Sequence, residues 1–401
     1  MKNILIKVTT CVVGVTANMF SPASAQVTVY EVPLSSPSSE FKKLLSGNGS
    51  TVIGVLANGS AGRWQADSGI TELGNFIPYG VDTTGGVVCG VAGNTAVRWT
   101  AATGVEYLAL PDEYQSSVAT ATSAFDRFSG QVGLAAGVYK AVEWTLSSGW
   151  RPIELPTEAI WSAAVDVSKI GVIAGNWQGP GGFVRAFWSY GGNPRMLEGL
   201  GGSQSLVWDV SAMGNAFVGL VPIPNDPYPF TIGIPHLACV WASSGGPRTL
   251  QLLPSTQRSD ARATSEWGSV IVGSCYGVGV GPRATVWVDD SRAFDLTQYV
   301  ECYSGAATPP VVFTHSIGVS DDGRTILARD YSRLFLITGF EPPAGPDTDL
   351  NEDRITNGAD LGLLLLEWGA CAAPCSSDLN RDNAVNGDDL GLLLANWGNC
   401  I

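Results

Sequence analysis

Oxygen-bearing side chains recur at a fixed spacing near the C-terminus. Asp349, Asn351, Asp353, Asn357 and Asp360 stand at positions 1, 3, 5, 9 and 12 of one segment, and Asp378, Asn380, Asp382, Asn386 and Asp389 repeat the arrangement in register. Short carboxylates and amides spaced in this way can converge on one hard cation, together with the carbonyl at position 7, which belongs to Ile355 in one copy and Ala384 in the other. The chemistry expected is binding of two calcium ions, one by each copy. Asp, Asn and Gly are also ordinary turn residues, but agreement of two copies at five positions is far more specific than a single match to the loop pattern.

The elements that must position these loops are short and apolar. Leu361–Gly369 follows the first loop and Leu390–Gly398 the second, and each is expected to form a helix whose leucines pack the two units together. Position 6, where the backbone turns sharply and glycine is easiest, holds Arg354 and Asn383. Asparagine tolerates a left-handed conformation and arginine is strained there, so the first loop is expected to bind more weakly.

From Asp347 to Cys400 these residues resemble the type I dockerin family, a small domain of two calcium loop-and-helix units that docks on a cohesin partner. The resemblance implies that Asp349, Asn351, Asp353, Asn357 and Asp360, then Asp378, Asn380, Asp382, Asn386 and Asp389, are the ligands, with Ile355 and Ala384 lending carbonyls. It also implies a cohesin-like or other extracellular protein as partner. The chain departs from the family in its shorter, more apolar helices and in bland residues, Gly358-Ala359 and Gly387-Asp388, where a partner would be chosen.

Lys2 and Lys7 flank an apolar stretch through Val15 that leads to Ala23-Ser24-Ala25. This pattern predicts a signal peptide over 1–25 and a protein secreted to the cell exterior or surface, or to the periplasm. No later segment approaches the ~20 apolar residues that span a bilayer, so membrane insertion is not expected. The formal net charge is -14, and from Asp347 onward ten acidic residues face two basic ones. An acidic chain is a poor ligand for phosphate backbones, which excludes nucleic acid as a partner. Beyond the leader stand Cys89, Cys239, Cys275, Cys302, Cys371, Cys375 and Cys400, an odd number that leaves one unpaired or paired between molecules. A disulfide clasp among Cys371, Cys375 and Cys400 is expected, because so small a unit buries little core; their spacing leaves the pairing open.

Between leader and tail one motif recurs in three beats. A strand ends near Asp-Val-Ser, as at Asp166-Val167-Ser168 and Asp209-Val210-Ser211; an apolar strand closes on glycine, as at Ile173-Ala174-Gly175 and Ile271-Val272-Gly273; and a third strand carries alanine three residues before tryptophan. That last beat runs Ala61 to Trp64, Ala96 to Trp99, Ala141 to Trp144, Ala238 to Trp241 and Ala284 to Trp287, is shortened at Ala186-Phe187-Trp188, and degrades at Phe335. Seven units at roughly 45 residues each match four-stranded propeller blades. The fold class expected is all-β, a seven-bladed β-propeller over 26–340, followed by a Pro-rich linker at 341–346 and a small α-helical, EF-hand-like calcium-binding domain at 347–401. The seventh unit lacks an outer strand, and Val27–Leu34 has the pattern to supply it. From about residue 41 to 340 the beats resemble the HAF-type extracellular repeats, which implies a secreted propeller and no particular chemistry.

Secreted propellers include glycosidases that work with paired carboxylates. Ser320-Asp321-Asp322-Gly323 lacks the residue that separates Asp from Gly in the Asp-box of sialidases, and reads as a hairpin turn. Asp166 and Asp209 recur at matching places in adjacent units, as structural residues do. His236 and His315 stand alone in the sequence. One tryptophan per unit reads as packing between blades before it reads as sugar stacking. The most individual segment is the insertion at 220–237, whose prolines stiffen a long loop; Asn225, Asp226, Tyr228, Phe230 and His236 are the candidate ligand-binding residues there. Trp177, Gln178 and Arg185 form a second candidate. The function expected is a non-catalytic binding or display protein, its propeller holding a polysaccharide or protein and its tail tethering it to an extracellular assembly. The alternative is a divergent extracellular carbohydrate-active hydrolase carrying a dockerin for a multienzyme complex.

Overall fold

The structure, a computed structural model, describes residues 27–37, 42–110, 112–123, 127–134, 137–202, 204–223, 235–243, 245–289, 292–303, 311–341, 348–351, 356–371, 375–380 and 382–397. The predicted leader and nearly all of the predicted linker lie outside these residues.

Short β-rich segments separated by glycine turns fold into seven successive antiparallel sheets, six of four strands and one of three. Each sheet is one blade, and the first strands of successive blades touch around a central channel. The inner strands of blades three to seven are Ser116–Thr122, Trp161–Val167, Leu206–Val210, Arg258–Thr264 and His315–Val319. In blade seven, Leu334–Thr338 pairs with Thr28–Val32, so the start of the described chain supplies the outer strand and closes the ring. This closure pairs the edge of Leu334–Thr338, which would otherwise be left open to aggregation. Blade one has three regular strands, and Lys43 and Leu45 reach the inner position only through isolated bridges to Gly80 and Val52.

Each beat of the repeat has a structural task. The serine after the inner strand turns back on its own hairpin: Ser46, Ser168, Ser211, Ser265 and Ser320 accept from the backbone N–H of Thr51, Val172, Ala216, Val270 and Thr325 at 2.9 to 3.1 Å. Asp82 does the same in blade two. Every one of these turns needs a glycine at positive φ, as at Gly171 (88°) and Gly323 (75°). Ser320-Asp321-Asp322-Gly323 is thus one more copy of the common turn.

The alanine before the tryptophan is buried, and its N–H crosses to the next blade. Ala96, Ala141, Ala186 and Ala238 donate to Ser117, Ser162, Ser205 and Ser259 at 2.8 to 2.9 Å. The tryptophans wedge between blades: Trp144, Trp241 and Trp287 are almost wholly buried, and their Nε1–H groups donate to the carbonyls of Ala109, Glu198 and Gln251 in the preceding blade. Burial against neighbouring blades gives them the packing role expected of them. The sequence pattern gave no warning of helix α1, Leu296–Tyr303, which covers one edge of blade six and buries Leu296, Tyr299 and Val300.

In the tail, helices α2, Gly358–Leu366, and α3, Gly387–Ala395, begin three residues before the expected apolar segments. The reason is local: Asn357 and Asn386 are N-caps, and Asp360 and Asp389 complete capping boxes, so the helix starts inside the loop motif. A two-residue strand pair, Gly369–Ala370 with Ala384–Val385, joins the units. Leu364, Leu379, Val385 and Leu393 form their buried core, and a Cys371–Cys375 disulfide staples the connection.

Candidate functional site

The second loop is described nearly throughout. Asp378 accepts from the backbone N–H groups of Asp382 (3.0 Å) and Asn383 (2.8 Å), and Asn380 Oδ1 accepts from Asp382 (3.0 Å). Asp382 in turn accepts from Ala384 N–H and from the amides of Asn380 and Asn386. Asn383 has φ of 71°, the left-handed conformation expected at position 6. Asp389, fully buried, accepts from Leu379 N and Asn380 N on one oxygen and from Asn386 N on the other. Loop one repeats this where it is described: Asp360, also fully buried, accepts from Asn351 N at 3.1 Å and Asn357 N at 2.7 Å. Asp353, Arg354 and Ile355 lie outside the described residues.

These oxygens are the right chemistry for a hard cation, and they share one loop. Among the described residues, however, no group of three or more His, Cys, Asp or Glu side chains is drawn together tightly enough to hold a metal. The loop oxygens accept instead from backbone and amide N–H groups. The position 12 carboxylates carry a second task that their spacing did not announce. They cap the helix and close the loop, so three N–H groups already occupy Asp389. The helices also leave large apolar side chains in solvent: Leu365, Leu366 and Trp368 around α2, and Leu394 and Trp397 around α3.

The propeller channel holds the other concentration of charge. At its middle, Lys43 Nζ lies 3.2 Å from Asp166 and 3.7 Å from Asp209, from inner strands of two other blades. Asp166 also accepts from Val210 N (3.2 Å) and Asp209 from Thr264 N (2.7 Å), so each carboxylate clamps the blade that follows its own. Burial raises the pKa of Asp209 well above the carboxylate range, against the pull of Lys43. Burial alone would lower that of Lys43, yet Asp166 and Asp209 hold it above the ordinary lysine value. Both carboxylates are engaged, as their structural reading requires. At one mouth Lys169 Nζ bridges Glu266 and Asp321, each at 2.9 Å.

At the other mouth the two histidines, which no sequence pattern links, lie against the same tyrosine. His236 and His315 flank the ring of Tyr276 edge-on, at centroid distances of 6.3 and 6.1 Å. The strand ends of blades five, six and seven meet there, although the three residues are far apart in sequence. Tyr276 Oη donates to Asp260 Oδ2 at 3.0 Å, and Arg262 reaches the same oxygen at 2.8 Å. Burial, reinforced by Arg329, lowers the pKa of His315 to about 4. Of the insertion candidates only His236 is described; Asn225, Asp226, Tyr228 and Phe230 lie outside the described residues. The blade-four candidate fails at Trp177, which is buried with its Nε1–H on Met196 Sδ, so it offers no ring to a ligand. Cys89, Cys239 and Cys275 are buried free thiols.

No family model and no curated protein matches the chain. Solved structures with a similar course include Kuenenia stuttgartiensis hydrazine synthase (12% identity, 75% of this chain and 94% of that chain, TM-score 0.46). The mitotic checkpoint complex follows at 11% identity (85% and 99%, TM-score 0.49), and the Cps50 (Swd1) β-propeller domain of Myceliophteria thermophila at 11% (78% and 98%, TM-score 0.46). At such identities and scores these likenesses add nothing to the blade architecture seen in the sheets. Among the described residues no helix is long and apolar enough to cross a membrane.

Proposed function

We propose that this chain is an exported, non-catalytic binding or display protein whose propeller holds a glycan or protein partner and whose tail takes up two calcium ions and docks on an extracellular protein. The observation that carries the reading is the convergence of Asp378, Asn380, Asp382 and Asn386 in one loop, next to helices that leave Leu365, Leu366, Trp368, Leu394 and Trp397 in solvent. Calcium would be held by Asp378, Asn380, Asp382, Asn386 and the Ala384 carbonyl, with Asp389 contributing its remaining lone pair; Asp349, Asn351, Asp353, Asn357, Asp360 and the Ile355 carbonyl would supply the matching set in loop one, Asp353 and Ile355 lying outside the described residues. The ion would displace the N–H groups from which the loop oxygens now accept. The non-catalytic reading is supported by Asp166 and Asp209, which are committed to Lys43 and to backbone donors.

Calorimetric titration of the mature chain with calcium tests this. Two ions are expected, with Asp349→Ala and Asp378→Ala each removing one, and a melting temperature that drops with chelator. No uptake at millimolar calcium would end the calcium reading, and turnover of a soluble glycan would end the non-catalytic one.

A further inference from the structure

Among the described residues, the mouth of the channel between blades five and seven carries more positive than negative charge, three arginines around one carboxylate. Arg258 and Arg262 lie on the inner strand of blade six, and Arg329 pairs with His315 across the first two strands of blade seven. Asp260 is the carboxylate set among them, and Arg262 and Tyr276 already hold its Oδ2. The Asp260 Oδ1 atom is buried without a hydrogen bond among the described residues. Arg258 rests its guanidinium 5.9 Å from the centre of the Tyr276 ring and makes no ion pair among the described residues. Arg329 makes none among them either, and its Nε is buried without a hydrogen-bond partner there.

A half-buried guanidinium without a counter-ion is costly, because it has given up water and gained no carboxylate. Burial and the nearby charge of Arg262 lower the pKa of Arg329, and Asp260 and Tyr276 offset them only in part. The opposite mouth shows what compensation looks like: there Lys169 has both Glu266 and Asp321. In a chain of net charge -14, leaving two arginines unpaired around one aromatic ring is an arrangement suited to an incoming anion. His315 adds a polar wall. Thr314 Oγ1 lies 2.9 Å from its Nδ1, and the imidazole borders Tyr276.

We propose that Arg329, Arg258 and Arg262, gathered around Tyr276 and His315, form a binding site for a small oxyanion, a carboxylate or sulfate group that is either free or carried on a sugar. The arginines bind it through charge-assisted hydrogen bonds, with Arg329 as the chief donor because its guanidinium makes no ion pair with a described carboxylate and Asp260 acts on it only from a distance. The site deepens the ligand-binding role given above to the propeller. It is independent of the calcium loops, so failure of calcium binding would leave it standing.

The test is thermal melting and calorimetry of the full mature chain with sulfate, glucuronate, polygalacturonate, polyglutamate and a neutral glucan, each against chloride at equal ionic strength. Sulfate or glucuronate is expected to raise the melting temperature above the chloride control, and Arg329→Gln to weaken binding by about tenfold, the loss of one charge-assisted contact. Lys140→Gln removes the same charge from an exposed position in blade three and is expected to bind as the parent does. If Arg329→Gln does not fold, Arg258→Gln decides the question by the same measurement. Tighter binding of polygalacturonate than of glucuronate would place the oxyanion on a polysaccharide, and binding of the small anions alone would make it free. No preference over chloride, equal loss in Lys140→Gln, or binding of polyglutamate with no response to sulfate or glucuronate would overturn the site.

Discussion

In the propeller, the residues that recur from blade to blade are consumed by the fold, whereas in the tail the described residues that recur from loop to loop hydrogen-bond within their own loop. The propeller serines, alanines and tryptophans each have a backbone or packing partner in the same or the next blade. In the tail, Asp382 and Asn380 are exposed and bond only to one another and to their own short loop. Repetition alone therefore does not mark a functional residue. What separates the two cases is whether the recurring polar atom is satisfied by a distant part of the fold or only by its immediate neighbours, which an ion could replace. Asp360 and Asp389 sit on the border, since they are repeated like ligands and buried like core residues.

The largest expected effect tests the propeller side of this contrast. Trp287 is fully buried and donates to Gln251 at 2.6 Å, so Trp287→Ala should cost about 3–5 kcal/mol in denaturant unfolding. Trp267→Ala, at a position 62% exposed, should change little. Similar small losses in both variants would return the blade tryptophans to candidate ligand contacts.

An intermediate effect sharpens the border case. With chelator present, Asp389→Ala should destabilise α3 by about 1–3 kcal/mol, because three N–H groups, that of buried Leu379 among them, lose their acceptor. Asp382→Ala, at an exposed site, should stay within about 0.5 kcal/mol under the same conditions while still abolishing the second calcium. Hydrogen exchange of the α3 amides reads both. Equal protection in the two variants would erase the distinction between loop-closing and ion-binding carboxylates.

The smallest effect concerns a single hook between blades. Ser205→Ala leaves the buried N–H of Ala186 without its acceptor and should cost about 1 kcal/mol. Loss of under a few tenths, measured in the same unfolding assay, would mean that the serine recurs for some reason other than holding blades four and five together.

Much of this molecule could be read from its sequence because its repeats are local. Glycine after a serine turn, alternating strands closing on glycine, and alanine before tryptophan each report on a few neighbouring residues, so blade number and order follow from counting. The outer strand at Thr28–Val32 was legible for the same reason, since its alternation survives without its partner. The tail loops were legible as oxygen-rich turns because all of their donors lie within one short segment. Helix starts were less so, because the capping boxes at Asn357 and Asn386 use residues that also read as ligands.

The channel was not legible. Lys43, Asp166 and Asp209 meet only when three blades converge, and the sequence distances between them carry no hint of a 3.2 Å contact. Histidines 236 and 315 read as isolated because no local pattern links them, yet ring closure sets both against Tyr276. The sequence by itself determined the repeat, the turns and the oxygen donors of the tail, since these depend on backbone sterics and hydrogen bonds over a few residues. Only the tertiary structure decided which charges are neutralised and which are left over, because that depends on which strand ends a closed ring brings to the same mouth.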